Sequence, residues 1–324
     1  MHEWFENLKY NPVNVLINSG EPMIVHFAKT ELINEDCCDV KEHWESADAK
    51  RILRKQSPDG YWKYPGKTHQ YRTPEDYDQI ETFRQFSYLI EKHGMTKEHD
   101  AVKRAAEYLF SKQTEEGDFR GIYGNQYAHT YSPAIMELLI KAGYEKDSRI
   151  EHGFKWLLAT RQDDGGWAAP VRTHAAKFQE VWDQPEPLQP VREKPFSHLM
   201  TGTVLRAFAA HPKHRHDKEA YAAGELLASR FFKSDKYADR RTPEYWERFS
   251  FPAWFTDLVS ALDSLSLLGF KNDHPQIKEG LNWFVERQKK TGEWELRMVR
   301  GENHPSQKLW LSLAICRIFK RFYS

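Results

Sequence analysis

Cysteine is scarce in this chain. There are three in 324 residues: Cys37 and Cys38 are adjacent and Cys316 is distant. An odd count with that spacing argues against a disulfide scaffold and for a reducing compartment, so the expected location is cytoplasmic. An adjacent pair with no second Cys/His cluster at ligand spacing is a weak metal signal, and it reads as two thiols at a helix end. Neither sign of charge is in excess, since Lys plus Arg and Asp plus Glu both number 47. With no Lys/Arg-rich arm, that balance argues against a nucleic-acid partner and an anionic membrane. Long apolar runs are missing, so no segment is expected to span a bilayer. The start, Met1-His2-Glu3-Trp4-Phe5-Glu6, has no basic region followed by an apolar one, so no signal peptide is expected. A convincing strand pattern is also absent.

What the chain does have is a repeat. A turn ending on an aromatic residue occurs at Gln56-Ser57-Pro58-Asp59-Gly60-Tyr61-Trp62, Gln113-Thr114-Glu115-Glu116-Gly117-Asp118-Phe119, Gln162-Asp163-Asp164-Gly165-Gly166-Trp167 and Gln288-Lys289-Lys290-Thr291-Gly292-Glu293-Trp294. Each is preceded by one apolar stripe of an α-helix. The stripe is Val102, Ala106, Leu109 and Phe110 before the second turn, Ile150, Phe154, Leu157 and Leu158 before the third, and Ile277, Leu281, Phe284 and Val285 before the last. A degraded unit with no glycine fits Ala223, Leu226, Leu227 and Arg230, ending on Tyr237. The paired aspartates of Gln162-Asp163-Asp164 invite reading as an active site. The matching places in the other turns hold Ser-Pro-Asp, Thr-Glu-Glu and Lys-Lys-Thr, so no carboxylate is required there. The turn is a fastener between helices.

Each unit runs on into a second, more apolar helix. These are expected at Pro22 to Leu32, Asp76 to Lys92, Ser132 to Ala142, Ser197 to Ala210, Trp254 to Leu268 and Ser306 to Phe322. Gly143 and Gly269 stand where an αL cap is needed, and Pro133 and Pro252 stand near helix starts. About six helical hairpins of roughly 50 residues result, with charged helices outside and apolar helices inside. The expected layout is one domain over 1–324, with N-terminal helices over 1–48 and repeat hairpins over 49–324. Periodicity alone leaves a closed ring and an open solenoid equally open. Two long connections, 168–196 and 239–251, read as lids or as loops packed on the rim.

The four turns resemble the Gln-Trp repeats of the terpenoid cyclase and protein prenyltransferase superfamily, as in squalene-hopene cyclases. The resemblance covers most of the chain from about Lys50. It implies an all-α fold, an α/α toroid whose inner helices surround an apolar cavity, and a hydrophobic, isoprenoid small molecule as partner. If the chain is an enzyme, it implies a class II terpene cyclase-like activity or a transferase. Class II cyclases protonate their substrate with an Asp-x-Asp-Asp motif at an inner-helix start. The nearest match is Asp76-Tyr77-Asp78-Gln79, whose fourth position is not acidic. There Asp78 would be the proton donor and Asp76 the neighbouring charge that keeps it protonated. Thr73-Pro74-Glu75-Asp76 reads equally well as a helix cap. Prenyltransferases hold zinc with Asp, Cys and His at inner-helix starts. Cys is missing from those places, so no zinc and no other cofactor is expected.

The remaining candidates sit at inner-helix starts. Asp257, His129 and His198 could converge on one mouth of a toroid as acid/base or metal-binding groups, or be satisfied structural residues. Tyr127, Tyr131, Trp254 and Trp310 could line a cavity and stabilise cations, or be core. His211-Pro212-Lys213-His214-Arg215-His216 looks metal-like but reads as a solvated turn. Three function classes stay open: isoprenoid conversion, non-catalytic binding of a lipid or peptide, and glycan processing on the same scaffold.

Overall fold

The computed structural model describes residues 3–68, 72–299 and 305–324. Fourteen α-helices occur among the described residues: α1 Val13–Ile17, α2 Pro22–Phe27, α3 Ala47–Leu53, α4 Pro74–Glu91, α5 Asp100–Phe110, α6 Ser132–Leu139, α7 Ser148–Ala159, α8 Pro170–Thr173, α9 Phe178–Val181, α10 His198–Ala210, α11 Lys218–Ala228, α12 Leu258–Leu267, α13 Pro275–Glu286 and α14 Pro305–Tyr323. No helix among them is long and apolar enough to cross a membrane.

Local chemistry sets the helix ends. Thr73 and Asp76 form a capping box with Pro74 in the first turn of α4, and Asp257 and Ser260 form one at α12. Gly143 and Gly269 end their helices with φ of 97° and 89°, as αL caps. One boundary differs from expectation. The helix expected from Trp254 begins at Leu258, because Asp257 caps it by accepting the Ser260 N–H at 2.8 Å. Pro252 and Trp254 therefore lie in the preceding loop, not at a helix start.

The molecule is an α/α toroid. Inner helices pack in sequence order: α4 on α6, α6 on α10, α10 on α12, α12 on α14, and α14 on α2. The α2 to α4 gap is tight as well. A Cβ on Gly94, just past α4, would lie 2.8 Å from Val40 and 3.3 Å from Phe27. Outer helices α3, α5, α7, α11 and α13 each pack on an inner neighbour. Their charges face out while Val102, Ala105, Ala106 and Leu109 of α5, for example, are buried.

The repeat turns hold the ring by three kinds of bond. The indole N–H of Trp62, Trp167 and Trp294 donates back to Ile52, Leu157 and Phe284 carbonyls at 2.7–2.8 Å. The backbone N–H of Trp62, Phe119 and Trp167 donates to a hydroxyl on the next inner helix: Thr82, Ser132 and Thr201. The glutamine amide reaches the next outer helix: Gln56 to the Ala101 carbonyl and Gln113 to the Arg149 carbonyl, both at 2.8 Å. Gln288 closes the circle. It donates to the Tyr10 carbonyl at 2.8 Å and accepts the Tyr10 N–H at 3.0 Å. The ring-or-solenoid question is thus settled by the last fastener gripping the N-terminal segment.

The turn glycines are required by crowding. Gly60 has φ of 92°, and a Cβ there would lie 2.2 Å from the Arg104 carbonyl oxygen of the next outer helix. The degraded unit departs from its expected ending. Tyr237 is half-buried and its hydroxyl donates to the Pro195 carbonyl. Trp246, farther on, is the buried indole and donates to the Lys233 carbonyl at 3.1 Å.

Candidate functional site

The hollow of the toroid is divided. Residues 250–253, between the short strand Arg248–Phe249 and α12, run across it. Ser250, Phe251 and Ala253 line both a mouth cleft of about 270 Å³ and a second cleft of about 640 Å³. The mouth cleft is walled by Tyr77, Phe83 and Tyr88 of α4 with Tyr131, Phe249 and Trp254. The second reaches Glu91, Lys141 and Arg321 near the C-terminal ends of α4, α6 and α14. Arg206 anchors the crossing loop by donating to the Ala253 carbonyl at 3.0 Å. The Phe251 ring lies flat on Trp310, with centroids 5.2 Å and planes 7° apart. A third cleft of about 240 Å³ lies beside the mouth and shares Tyr131 and Trp254 with it.

The walls are apolar in part, but a line of charge runs down the hollow. Lys141 bridges Glu91 at 2.6 Å and Glu137 at 2.7 Å. Arg206 Nη2 lies 2.5 Å from Glu137 Oε2, a charge contact without hydrogen-bond alignment. Arg321 pairs with Asp263, and Arg317 with Glu31. Burial opposes ionisation of Glu137, yet Arg206 and Lys141 outweigh it and hold that carboxyl below the ordinary range. Burial likewise opposes the charge on Lys141, and Glu137 and Glu91 outweigh it. Sequence reasoning missed this network. Its signal was present: Glu137 and Lys141 interrupt an otherwise apolar inner helix, where a charge is costly unless paired.

The expected site residues are placed as follows. Asp76 closes the α4 capping box, accepting the Thr73 N–H at 2.9 Å. Asp78 Oδ1 accepts the Tyr64 N–H at 2.7 Å. Neither carboxylate lines any of the three clefts. Asp257 is buried, and its Oδ2 has no partner. Burial pushes its carboxyl up to about 7, against the Ser260 hydrogen bonds. His129 lies against the Trp156 ring at 4.8 Å with Nε2 3.0 Å from the Thr160 hydroxyl, and burial lowers it to about 3. His198 lies on Trp246 at 4.7 Å with Nδ1 3.3 Å from Asp235, a contact that lacks hydrogen-bond alignment. Burial, partly countered by Asp235, lowers it to about 4. Both imidazoles are neutral at pH 7. Each is held by its own hairpin, so the structure gives the three residues separate partners.

The aromatic candidates divide likewise. Tyr131 and Trp254 line the mouth cleft. Tyr127 lines the side cleft, and its hydroxyl donates to Glu116 and accepts from Gln189 at 2.9 Å. Trp310 lines none of the three clefts and supports the crossing loop. The mouth also carries Glu81, buried and paired with Arg84 at 2.7 Å. Two groups of side chains have metal-ligand composition: Glu151, His211 and His214, and His26, Cys37 and Cys38. In the first, His214 bonds Asp217 at 2.6 Å and Glu151 at 3.0 Å, and His211 bonds the Glu145 carbonyl at 2.8 Å. Those nitrogens are already used in tying α7 to α11.

The chain, with glutamine and tryptophan fasteners closing a toroid of helical hairpins, is similar to terpenoid cyclase-like proteins. Within it, residues 75–186 match the squalene-hopene cyclase C-terminal domain. A squalene–hopene cyclase of Bradyrhizobium diazoefficiens is 24% identical over 259 residues, 69% of this chain and 34% of that protein. The chain thus spans about a third of that relative's length. Among solved structures, a type II terpene cyclase from Scytonema aligns with a TM-score of 0.37 at 11% identity, covering 87% of this chain and 96% of that one. A family 88 glycosyl hydrolase from Bacteroides vulgatus aligns at 0.48 and 13%, covering 99% and 94%. Likenesses at this level concern the fold alone.

Proposed function

We propose that this toroid binds one hydrophobic, prenyl-type small molecule in the mouth cleft and does not cyclise it through Asp78. The observation that carries the reading is the division of labour on α4. Tyr77, Phe83 and Tyr88 face the mouth cleft, whereas Asp76 and Asp78 are engaged by backbone N–H groups of Thr73 and Tyr64. A carboxyl that initiates cyclisation must stay protonated beside the alkene. Glu81, the carboxylate that does line the mouth, is ion-paired with Arg84. At about 270 Å³ the cleft sits near the lower end of small-molecule pockets, roughly 300–1,000 Å³, which favours a short prenyl unit over a long triterpene. The Arg72 guanidinium, 5.7 Å from the Tyr77 ring, supplies a cationic group for an anionic head.

Tryptophan fluorescence titrations with farnesol, farnesyl diphosphate, geranylgeranyl diphosphate and squalene test this. The expected result is saturable binding of the farnesyl compounds, weakened at least tenfold (about 1.4 kcal/mol) in Trp254→Ala and unchanged in Asp78→Asn. Extraction and mass analysis should recover each compound unaltered. A cyclised product formed by the wild type and lost in Asp78→Asn would overturn the reading.

A further inference from the structure

The N-terminal part of the ring brings two histidines from separate elements to an adjacent pair of cysteines. His26 comes from α2, Cys37 and Cys38 from the loop that follows, and His43 from the next helical turn, Val40–His43. His26, Cys37 and Cys38 each place a ligand atom within 4.8 Å of the others. Cys37 Sγ and Cys38 Sγ are 3.9 Å apart, and Cys38 Sγ is 3.3 Å from His43 Nε2. The His26 and His43 rings are 5.2 Å apart, centroid to centroid. A tetrahedral zinc with Zn–S of about 2.3 Å and Zn–N of about 2.0–2.1 Å has edges of about 3.8 Å between sulfurs and about 3.6 Å between sulfur and nitrogen. The Cys37–Cys38 and Cys38–His43 spacings are close to these, while His43 lies outside the group of three whose ligand atoms are all within 4.8 Å, so a small inward movement of its ring completes the set.

A second observation points the same way. His26 is 6% exposed, and its Nδ1 has no hydrogen-bond partner. A buried imidazole nitrogen left unpaired is costly unless something binds it. In the Glu151, His211 and His214 group the ring nitrogens have their partners; here the set is two thiols and two imidazoles with a ring nitrogen to spare.

We propose that His26, Cys37, Cys38 and His43 form a Cys₂His₂ structural zinc site. Both thiols ionise on binding and release their protons, leaving a neutral complex with no open position for substrate. The ion ties the loop after α2 back onto that helix. Val40, in the turn carrying His43, packs on Gly94 at the α2 to α4 junction. Zinc therefore staples the hairpin that completes the ring. The site lies apart from the mouth cleft and does not depend on what that cleft binds.

The test uses the full chain, purified, stripped with a chelator and reloaded with Zn²⁺ or Co²⁺. One equivalent of zinc per chain is expected by elemental analysis. With cobalt, a tetrahedral spectrum carrying thiolate-to-metal charge transfer is expected. Cys37→Ser/Cys38→Ser should lower zinc affinity by more than the roughly 10–100-fold that loss of an outer-shell partner costs, and His43→Asn should do the same. Cys316→Ser, at a buried thiol elsewhere, should keep the full spectrum. Both cysteines of the pair are exposed, so their serine variants should retain the helical circular dichroism. Sub-stoichiometric zinc after reloading, unchanged affinity in the double variant, or a chain isolated with Cys37 and Cys38 oxidised to each other and no metal would each overturn the site.

Discussion

The rim of the toroid and its hollow are built from different chemistry. On the rim, neutral amides and indoles donate to backbone carbonyls. Both amide protons of Gln56, Gln113, Gln162 and Gln288 are used in this way. In the hollow, full charges meet at close range, and several buried atoms stay unpaired: Arg206 Nε and Nη1, Asp257 Oδ2 and His129 Nδ1. The rim bonds do not titrate, and salt screens them little. The hollow is a place where one lost partner leaves a charge stranded. The rim thus holds its stability in neutral bonds, while pH sensitivity is concentrated inside.

The largest effect that would sharpen this contrast comes from Glu137. Replacing it by alanine strands Arg206, which is only 6% exposed, and should cost about 3–5 kcal/mol. Removing both charges, as Glu137→Met with Arg206→Met, should recover most of that loss, because the apolar pair packs where the ions did. Denaturant unfolding of the three chains measures it. An additive double variant would mean that the pair is not coupled and that the contrast with the rim is false.

Next comes Asp257. Its carboxyl in the folded protein, raised to about 7, lies above the ordinary aspartate value of 3.8. A raised acid contributes stability that is whole below its unfolded value and is lost as pH rises through the folded one. Between pH 4 and pH 8 the wild type should therefore lose on the order of 2 kcal/mol, the gap allowing at most ~4. Asp257→Asn keeps an oxygen to accept the Ser260 N–H and should remove that slope, so it gains on the wild type as pH rises. Thermal melts of both proteins across that range check the sign. Parallel curves would remove Asp257 as a source of pH dependence.

Much of the fold was legible in the sequence, and little of the interior was, for one physical reason. A fastener must recur at each hairpin, so its Gln, Gly and aromatic residue stand at fixed spacing and can be counted. Ring closure was not countable, because Gln288 grips Tyr10, a residue outside the pattern. Of the interior charges, Glu137 and Lys141 share one helix, but Glu91 and Arg206 reach them from other hairpins and meet them only in space. The acid motif on α4 shows a further limit. Alignment puts Asp78 at the right helix start, but one residue turns a helix by about 100°. Tyr77 faces the cleft and Asp78 lies beside it, bonded to Tyr64. The Cys37–Cys38 pair gave only a weak metal signal, because the two histidines beside it lie on separate elements flanking the pair.

The smallest effect separates two fasteners that look alike in sequence. Gln113 ties its turn to the Arg149 carbonyl at the start of α7, the next outer helix. Gln162 instead donates to the Val191 and Lys194 carbonyls of the connection before α10, at 2.8 and 2.9 Å. Asp164 joins it by accepting the Phe196 N–H at 2.8 Å. At this turn the fastener has exchanged its outer helix for a loop. Gln113→Ala should therefore lower global stability by about 1–2 kcal/mol, since two hydrogen bonds of about 1 kcal/mol each are lost, one within the turn and one to the next outer helix. Gln162→Ala should cost global stability less than ~1 kcal/mol and act locally, because a loop can open without unfolding the ring. Amide exchange should then rise across residues 186–196 while α7 and α10 stay protected. If exchange instead rises throughout α7, the third fastener holds the ring as the others do, and the loop contact is incidental.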